Sequence, residues 1–146
     1  MTPLPRAAIV AAAREWIGTP YMHQASLKGA GCDCLGLVRG LWRELVGPEP
    51  EPVPAYTPDW AERTGGESLR EAARRHLVEL PAAAARPGDI LLFRIGVGAP
   101  AKHAGVLAAR ERLIHAYWSR AVTETALTPW WRRRIAHAFA FPGAED

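Results

Sequence analysis

The sequence predicts an α+β domain, with helices in the first half and an antiparallel sheet in the second. Two observations carry that prediction. Apolar residues recur at three- and four-residue spacing early in the chain, as at Leu37, Val38, Leu41, Trp42 and Leu45. From Arg86 onward the pattern changes to short apolar runs punctuated by turn formers, beginning with "RPGDILLF". At 146 residues without internal repeats, the chain fits one domain, residues 1–146, with its own core.

The elements are justified in order. Residues 3–17 read as a helix, with Thr2 as N-cap and Pro3 in the first turn, stopped by Gly18 and Pro20. Arg6 ahead of the apolar run Ala7–Ala13 loosely mimics a secretion signal. The run is short, however, and its pattern continues through Trp16 and Ile17, which favours an ordinary first helix. Residues 18–32 form a loop, and residues 33–46 a second helix with Asp33 as N-cap and Gly47-Pro48 as its end. Five prolines within 47–58 mark an extended surface segment. Residues 66–79 read as a third helix with a basic face. Pro87-Gly88-Asp89 is a turn, and strands are expected at 90–95, 102–108, 112–118, 121–125 and 135–141, arranged as a meander. Thr128 begins a short capped helical turn through Trp131.

Composition narrows the function classes. Hydrophobic residues make up 49% of the chain and six tryptophans are present, a globular rather than a disordered composition. No apolar run approaches the ~20 residues needed to span a bilayer. The net charge is +3, carried mostly by arginine, since Lys28 and Lys102 are the only lysines. That is too mild to argue for nucleic acid but compatible with an anionic surface such as a cell wall.

The chemistry concentrates in "GCDCLGLVRG". A disulfide between Cys32 and Cys34 would close a very tight ring, and a Cys-x-Cys metal clip lacks two further ligands at regular spacing. A nucleophile fits better. Cys34 falls in the first turn of a helix, where unpaired N–H groups and the helix dipole favour a thiolate and lower its pKa. Asp33 pushes the other way, so a histidinium partner would have to outweigh it. The bland alternative, that Cys34 is a small buried hydrophobe, stays open on this stretch alone.

Two histidines bear on that choice. His103 in "KHAGVL" and His115 in "RLIHAYW" lie on neighbouring strands. If the turn spans Ala108–Arg110, Leu107 pairs with Glu111 and His103 lies opposite His115, with Cβ atoms ~4.5–5.5 Å apart; a slip of two residues keeps them diagonal neighbours. His115 can then hold one ring nitrogen of His103 and leave the other for a thiol, an arrangement of nucleophile, base and orienter.

The motifs "GTPYMHQASLKGAGCDCLGLV", "RPGDILLF", "HAGVL" and "LIHA", in this order, resemble the NlpC-type cell-wall peptidases, which are papain-like cysteine peptidases. The resemblance runs from about Trp16 to Phe141, and "GCDCLGLVRGLWRE" is particularly similar to the branch encoded with phage tail genes and gene transfer agents. It implies a papain-like fold, with the nucleophile at a helix start packed on a C-terminal antiparallel sheet. It implies Cys34 as nucleophile, His103 as base and His115 as the polar third member. Tyr21 and Asp33, with the Cys34 N–H, match the oxyanion and substrate-binding positions. Cleavage of a peptidoglycan stem peptide, often between D-γ-glutamyl and a diamino acid, would follow, without metal or organic cofactor. A phage-like particle would carry the protein on its tail tip from the producing cytoplasm to the wall of the target cell. Tail hub or baseplate proteins would then be partners, reached through the proline-rich segment, the 66–79 helix or the Trp130–Arg134 patch.

Three features depart from the family pattern. Leu35 replaces a serine after the nucleophile, Met22-His23-Gln24 replaces the usual glycines after Tyr21, and Cys32 is extra and reads as structural. Competing readings are a catalytically silent tail component of the same fold, an amidase or acyltransferase acting elsewhere, and a thiol-metal protein.

Overall fold

The computed structural model describes residues 2–52 and 67–146. The helices come first. The helix α1 (Arg6–Arg14) begins later than its sequence pattern suggests. Leu4–Pro5 (β1) instead pairs in parallel with Ala144–Glu145 (β10), and the Leu4 N–H donates to Gly143 O at 2.9 Å. Pro5, not Thr2, is therefore the N-cap position, and no side chain caps the helix. Beyond Arg14 the N–H groups of Glu15, Trp16 and Ile17 donate three residues back, a tightened end that stops at Gly18 with φ of 93°. The apolar run of α1 is part of the core, with Ile9 and Ala13 fully buried. Arg6 makes a buried ion pair with Asp89, which fastens α1 to the Pro87-Gly88-Asp89 turn.

Ser26–Leu27 (β2) and Gly31–Cys32 (β3) form a small antiparallel hairpin that leads into α2 (Cys34–Leu45). Here the expected helix and its Asp33 cap are both present. Gly36 lies where an added Cβ would meet the Ala25 carbonyl oxygen at 1.8 Å, so the 18–32 loop presses directly onto the first turn of α2.

The third helix is shorter than its sequence pattern suggests. It covers Ser68–His76 (α3), and Val78–Leu80 (β4), whose first two residues were expected within it, is an edge strand. "HLVEL" satisfies a helical spacing, but pairing with a neighbouring strand wins over the weak helical propensity of Val78. Position 66 and residues 53–58 of the proline-rich segment lie outside the described residues.

The remaining strands are Ile90–Phe93 (β5), His103–Ala109 (β6), Arg112–His115 (β7), Thr123–Ala126 (β8) and Ile135–Ala140 (β9). Among the described residues they form, with β4, a six-stranded antiparallel sheet in the order β4-β9-β5-β6-β7-β8. The meander holds from β5 to β8, but β9 returns across the sheet to lie beside β5. The turn of Pro129–Arg132 (α4), capped by the Thr128 hydroxyl, makes that return. Both faces of the sheet are covered. Leu92, Ala104 and Val106 pack toward α1 and α2, whereas Leu91, Phe93, Leu107 and Leu113 pack toward Trp131 and Leu127. That explains why β5 reads as the unbroken apolar run "ILLF".

Candidate active site

Cys34 is the first residue of α2, and its position follows from the cap. Asp33 is 3% exposed, and its carboxylate accepts from the N–H of Gly36 and of Gln24, each at 2.7 Å. It thereby ties the loop, where Gln24 has φ of 65°, to the helix start. The first intrahelical bond runs from Leu37 N–H to Asp33 O, so the N–H groups of Cys34 and Leu35 have no helical partner. Both lie near enough to the Cys34 sulfur to favour its ionised form. Asp33 thus positions Cys34, and its burial leaves it little surface to offer a substrate.

The sulfur lies against the start of β6. Cys34 Sγ is 3.9 Å from the Lys102 carbonyl oxygen, and the Ala104 N–H points toward it, so it sits beside the backbone on either side of His103. The two histidines meet as well: His103 Nε2 is 2.8 Å from His115 Nδ1. They do so in the diagonal register. Leu107 pairs with Leu113, not Glu111, because the hairpin turns through Arg110-Glu111 and takes up the extra residue as a bulge near Ala108. Gly105, not His103, then faces His115. A Cβ at Gly105 would stand 3.1 Å from the His115 Cβ and 2.6 Å from Leu113, so a side chain there would displace the ring.

Several partners of this pair carried no signal in the single sequence. Thr125 Oγ1 lies 3.2 Å from His115 Nε2, on the same sheet face by strand alternation. Trp131 packs at 5.4 Å from the His103 ring and edge-on at 5.0 Å from His115; Phe93 and Tyr117 complete the enclosure. Trp131 is therefore a wall of the site rather than part of an exposed patch. Trp130 is the outward member, with the Arg134 guanidinium 3.6 Å above its ring. A spacing of ten residues from His115 places Thr125 in reach only once the β7–β8 register is known.

Burial sets the protonation states. It pushes the Cys34 thiol up to about 12, with the Asp33 charge adding to the rise and the helix-start amides opposing it. It holds His103 well below its ordinary 6.5, with His115 contributing, and lowers His115 to about 4. Loss of hydration and the Asp33 charge together outweigh the amides of Ala104, Leu35 and Cys34, so the shift runs opposite to the helix-start effect taken alone. Thiol and imidazole rest neutral, and a proton passing from Sγ to His103 would create two charges that stabilise each other in a poorly hydrated site.

Tyr21 bridges to Cys32 and leans on Trp118 at 5.9 Å. Its phenol is held protonated, pushed up to about 12 by burial first and then by the neighbouring Cys34 and Asp33 groups, which makes it a donor. Cys32 is free and buried in the core; burial raises its thiol to about 12. Leu35 lines an apolar cavity of about 440 Å³ between α2 and α3, together with Val38, Trp42, Leu69 and Ala104. Among the described residues, no three His, Cys, Asp or Glu side chains converge as metal ligands.

A helix-start cysteine set against the backbone that flanks a histidine, on the first strand of an antiparallel hairpin, is the arrangement of the papain-like fold. Within that class the chain belongs to the NlpC/P60 family, whose model matches residues 18–139. Solved structures agree on the fold. The NlpC/p60 domain of the peptidoglycan hydrolase SagA covers 93% of this chain and 98% of its own, with a TM-score of 0.65 and 23% identity. The peptidoglycan hydrolase RipB from Mycobacterium tuberculosis covers 94% of this chain and 64% of its own, with a TM-score of 0.57 and 20% identity. Among curated proteins, the gamma-DL-glutamyl hydrolase of Bacillus subtilis is 27% identical over 128 residues, 87% of this chain. The chain spans 27% of that relative's length.

Proposed function

We propose that this chain is a cysteine peptidase that hydrolyses an amide bond in peptidoglycan stem peptides, between D-γ-glutamyl and the following diamino acid. The observation that carries this reading is the continuous set of Cys34 at the start of α2, the backbone around His103 against its sulfur, and the 2.8 Å contact from His103 to His115. The bond assignment rests on the gamma-DL-glutamyl hydrolase likeness together with the peptidoglycan hydrolases of the same fold.

The steps follow from the parts. The Sγ proton moves to His103 Nδ1, the ring nitrogen that His115 does not hold, as sulfur attacks the amide carbon. The resulting oxyanion is met by the unpaired N–H of Cys34 and by the protonated Tyr21 hydroxyl. Collapse breaks the C–N bond, and the leaving nitrogen takes the proton from His103. Water then attacks the thioester, giving its proton to His103, and the C–S bond breaks to release the carboxylate and regenerate the thiol. No step calls on a cofactor.

We further propose that the protein acts from a phage-like particle, virion or gene transfer agent, made in the bacterial cytoplasm and docked on tail hub or baseplate proteins. The support is the likeness of "GCDCLGLVRGLWRE" to the tail-encoded branch. The third helix is a weaker docking face than its charge suggests, because Arg70 and Arg74 pair with Glu79, and Arg75 with Glu51. The outward Trp130 edge is the better surface.

Digestion of purified peptidoglycan, with products read by mass spectrometry, tests the activity. Wild-type protein releases stem-peptide fragments cut at the γ-glutamyl bond and Cys34→Ala releases none. An intact wall together with an iodoacetamide-resistant Cys34 would favour a silent tail component. Mass spectrometry of purified particles from the producing cell tests the location.

A further inference from the structure

Protonation of His103 constrains where His115 carries its own proton. When His103 holds the thiol proton it is an imidazolium, and both its nitrogens are donors. Its Nε2–H then needs an acceptor, and the group 2.8 Å away is His115 Nδ1. His115 can accept there only as the neutral tautomer that carries its proton on Nε2. That Nε2–H in turn requires an acceptor, and the atom 3.2 Å away is Thr125 Oγ1. Trp131 and Tyr117 cover the His115 ring, which is 4% exposed. A bare N–H there would cost more than a bare lone pair.

We propose that Thr125 is a positioning residue that acts through His115, accepting its Nε2–H and so satisfying the one tautomer in which His115 can support a protonated His103. This rests on the reading of Cys34 and His103 as nucleophile and base. Without the Thr125 hydroxyl, His115 moves its proton to Nδ1 and donates it to His103 Nε2. His103 is then left with its proton on Nδ1, facing the thiol as a donor that cannot accept. Thr125 is half-buried on β8, and its side chain touches neither sulfur nor substrate in this scheme.

The test compares wild type, Thr125→Val, which keeps the shape, and Thr125→Ser, which keeps the hydroxyl. Long-range proton–nitrogen NMR of histidine-labelled protein at about pH 7.5, above the ~6.5 of a free imidazole, reads the tautomers directly. The expected result is His115 protonated on Nε2 in wild type and Thr125→Ser, and on Nδ1 in Thr125→Val. In parallel, the rate of Cys34 alkylation by iodoacetamide across pH falls about tenfold in Thr125→Val and recovers in Thr125→Ser. Unchanged tautomers and an unchanged alkylation profile in Thr125→Val would overturn the proposal. Alkylation needs no wall substrate, so an intact wall combined with these shifts would sink the hydrolase reading and leave this one standing. A His103→Ala variant that alkylates like wild type would sink both.

Discussion

Two histidine sites lie on opposite faces of one sheet and are built on opposite principles. His103 and His115 share a face with Phe93, Tyr117 and Trp131, and their polar neighbours are each other and a threonine hydroxyl. His137, paired across from Leu92 on the other face, sits among charges: Glu67 at 3.4 Å, Glu79 at 3.9 Å and Arg94 at 3.5 Å. Burial lowers the pKa of all three rings, but at His137 the nearby Glu67 carboxylate opposes the fall. A carboxylate beside His103 would stabilise a permanent imidazolium. Among the described residues no carboxylate contacts either ring, so an imidazolium there has no built-in counter-charge. The charged network serves the backbone instead. Glu67 also accepts from the Ala101 N–H and bonds Arg94, holding the approach to β6.

The sharpest way to break this comparison is to delete one ring from each site. His103→Ala is expected to lower kcat on stem peptide by roughly 10²–10⁴-fold, the usual worth of a general base, with the fold retained. His137→Ala is expected to leave kcat unchanged and to cost about 1 kcal/mol of stability. Steady-state kinetics beside urea unfolding distinguishes the two. Equal loss of kcat at both positions would mean that the faces are not separate.

The next effect concerns acid stability. His115 binds a proton near 6.5 in the unfolded chain and only near 4 in the folded one. As pH falls through that window the unfolded state gains protons first, so the stability fully present above about 6.5 is progressively lost. His115 alone accounts for about 3 kcal/mol, and His103 adds in the same direction. Trp131→Ala should admit water, raise the His115 pKa and flatten the fall. Unfolding free energies measured between about pH 7 and pH 4 for both proteins check this. An identical slope in the variant would show that Trp131 does not set the dryness of the pair.

One side of this contrast is legible in the sequence and the His137 network is not, and the limits are instructive. Cys34, His103 and His115 were readable because strand period and helix start constrain them locally, and a two-residue slip in register still brings the rings together. The Asp33 cap was readable for the same reason. Thr125 and Trp131 were not, since their roles depend on the β7–β8 register and on the return of β9, both set by tertiary pairing. The direction of the Cys34 shift is hidden from sequence because a dipole is visible in a motif whereas burial is not. The strand β4 was hidden because Leu77, Val78 and Leu80 satisfy either period.

The smallest predicted effect tests whether the two faces are insulated from each other. Glu79 pairs with Arg70 at 3.0 Å and Arg74 at 3.2 Å, through side chains that remain partly exposed. Such pairs contribute about 0–1 kcal/mol and are screened by salt, so Glu79→Gln should shift stability by no more than that, and by less at high ionic strength. It also removes a charge 3.9 Å from His137 Nδ1, on the strand that pairs with β5 and hence next but one to His103. If the faces are insulated, kcat on stem peptide stays within about twofold and the pH dependence of Cys34 alkylation is unmoved. A shifted alkylation profile in Glu79→Gln would instead mean that the charged network reaches the thiol through the sheet, and that the neutral state of His103 and His115 depends on more than the aromatic wall around them.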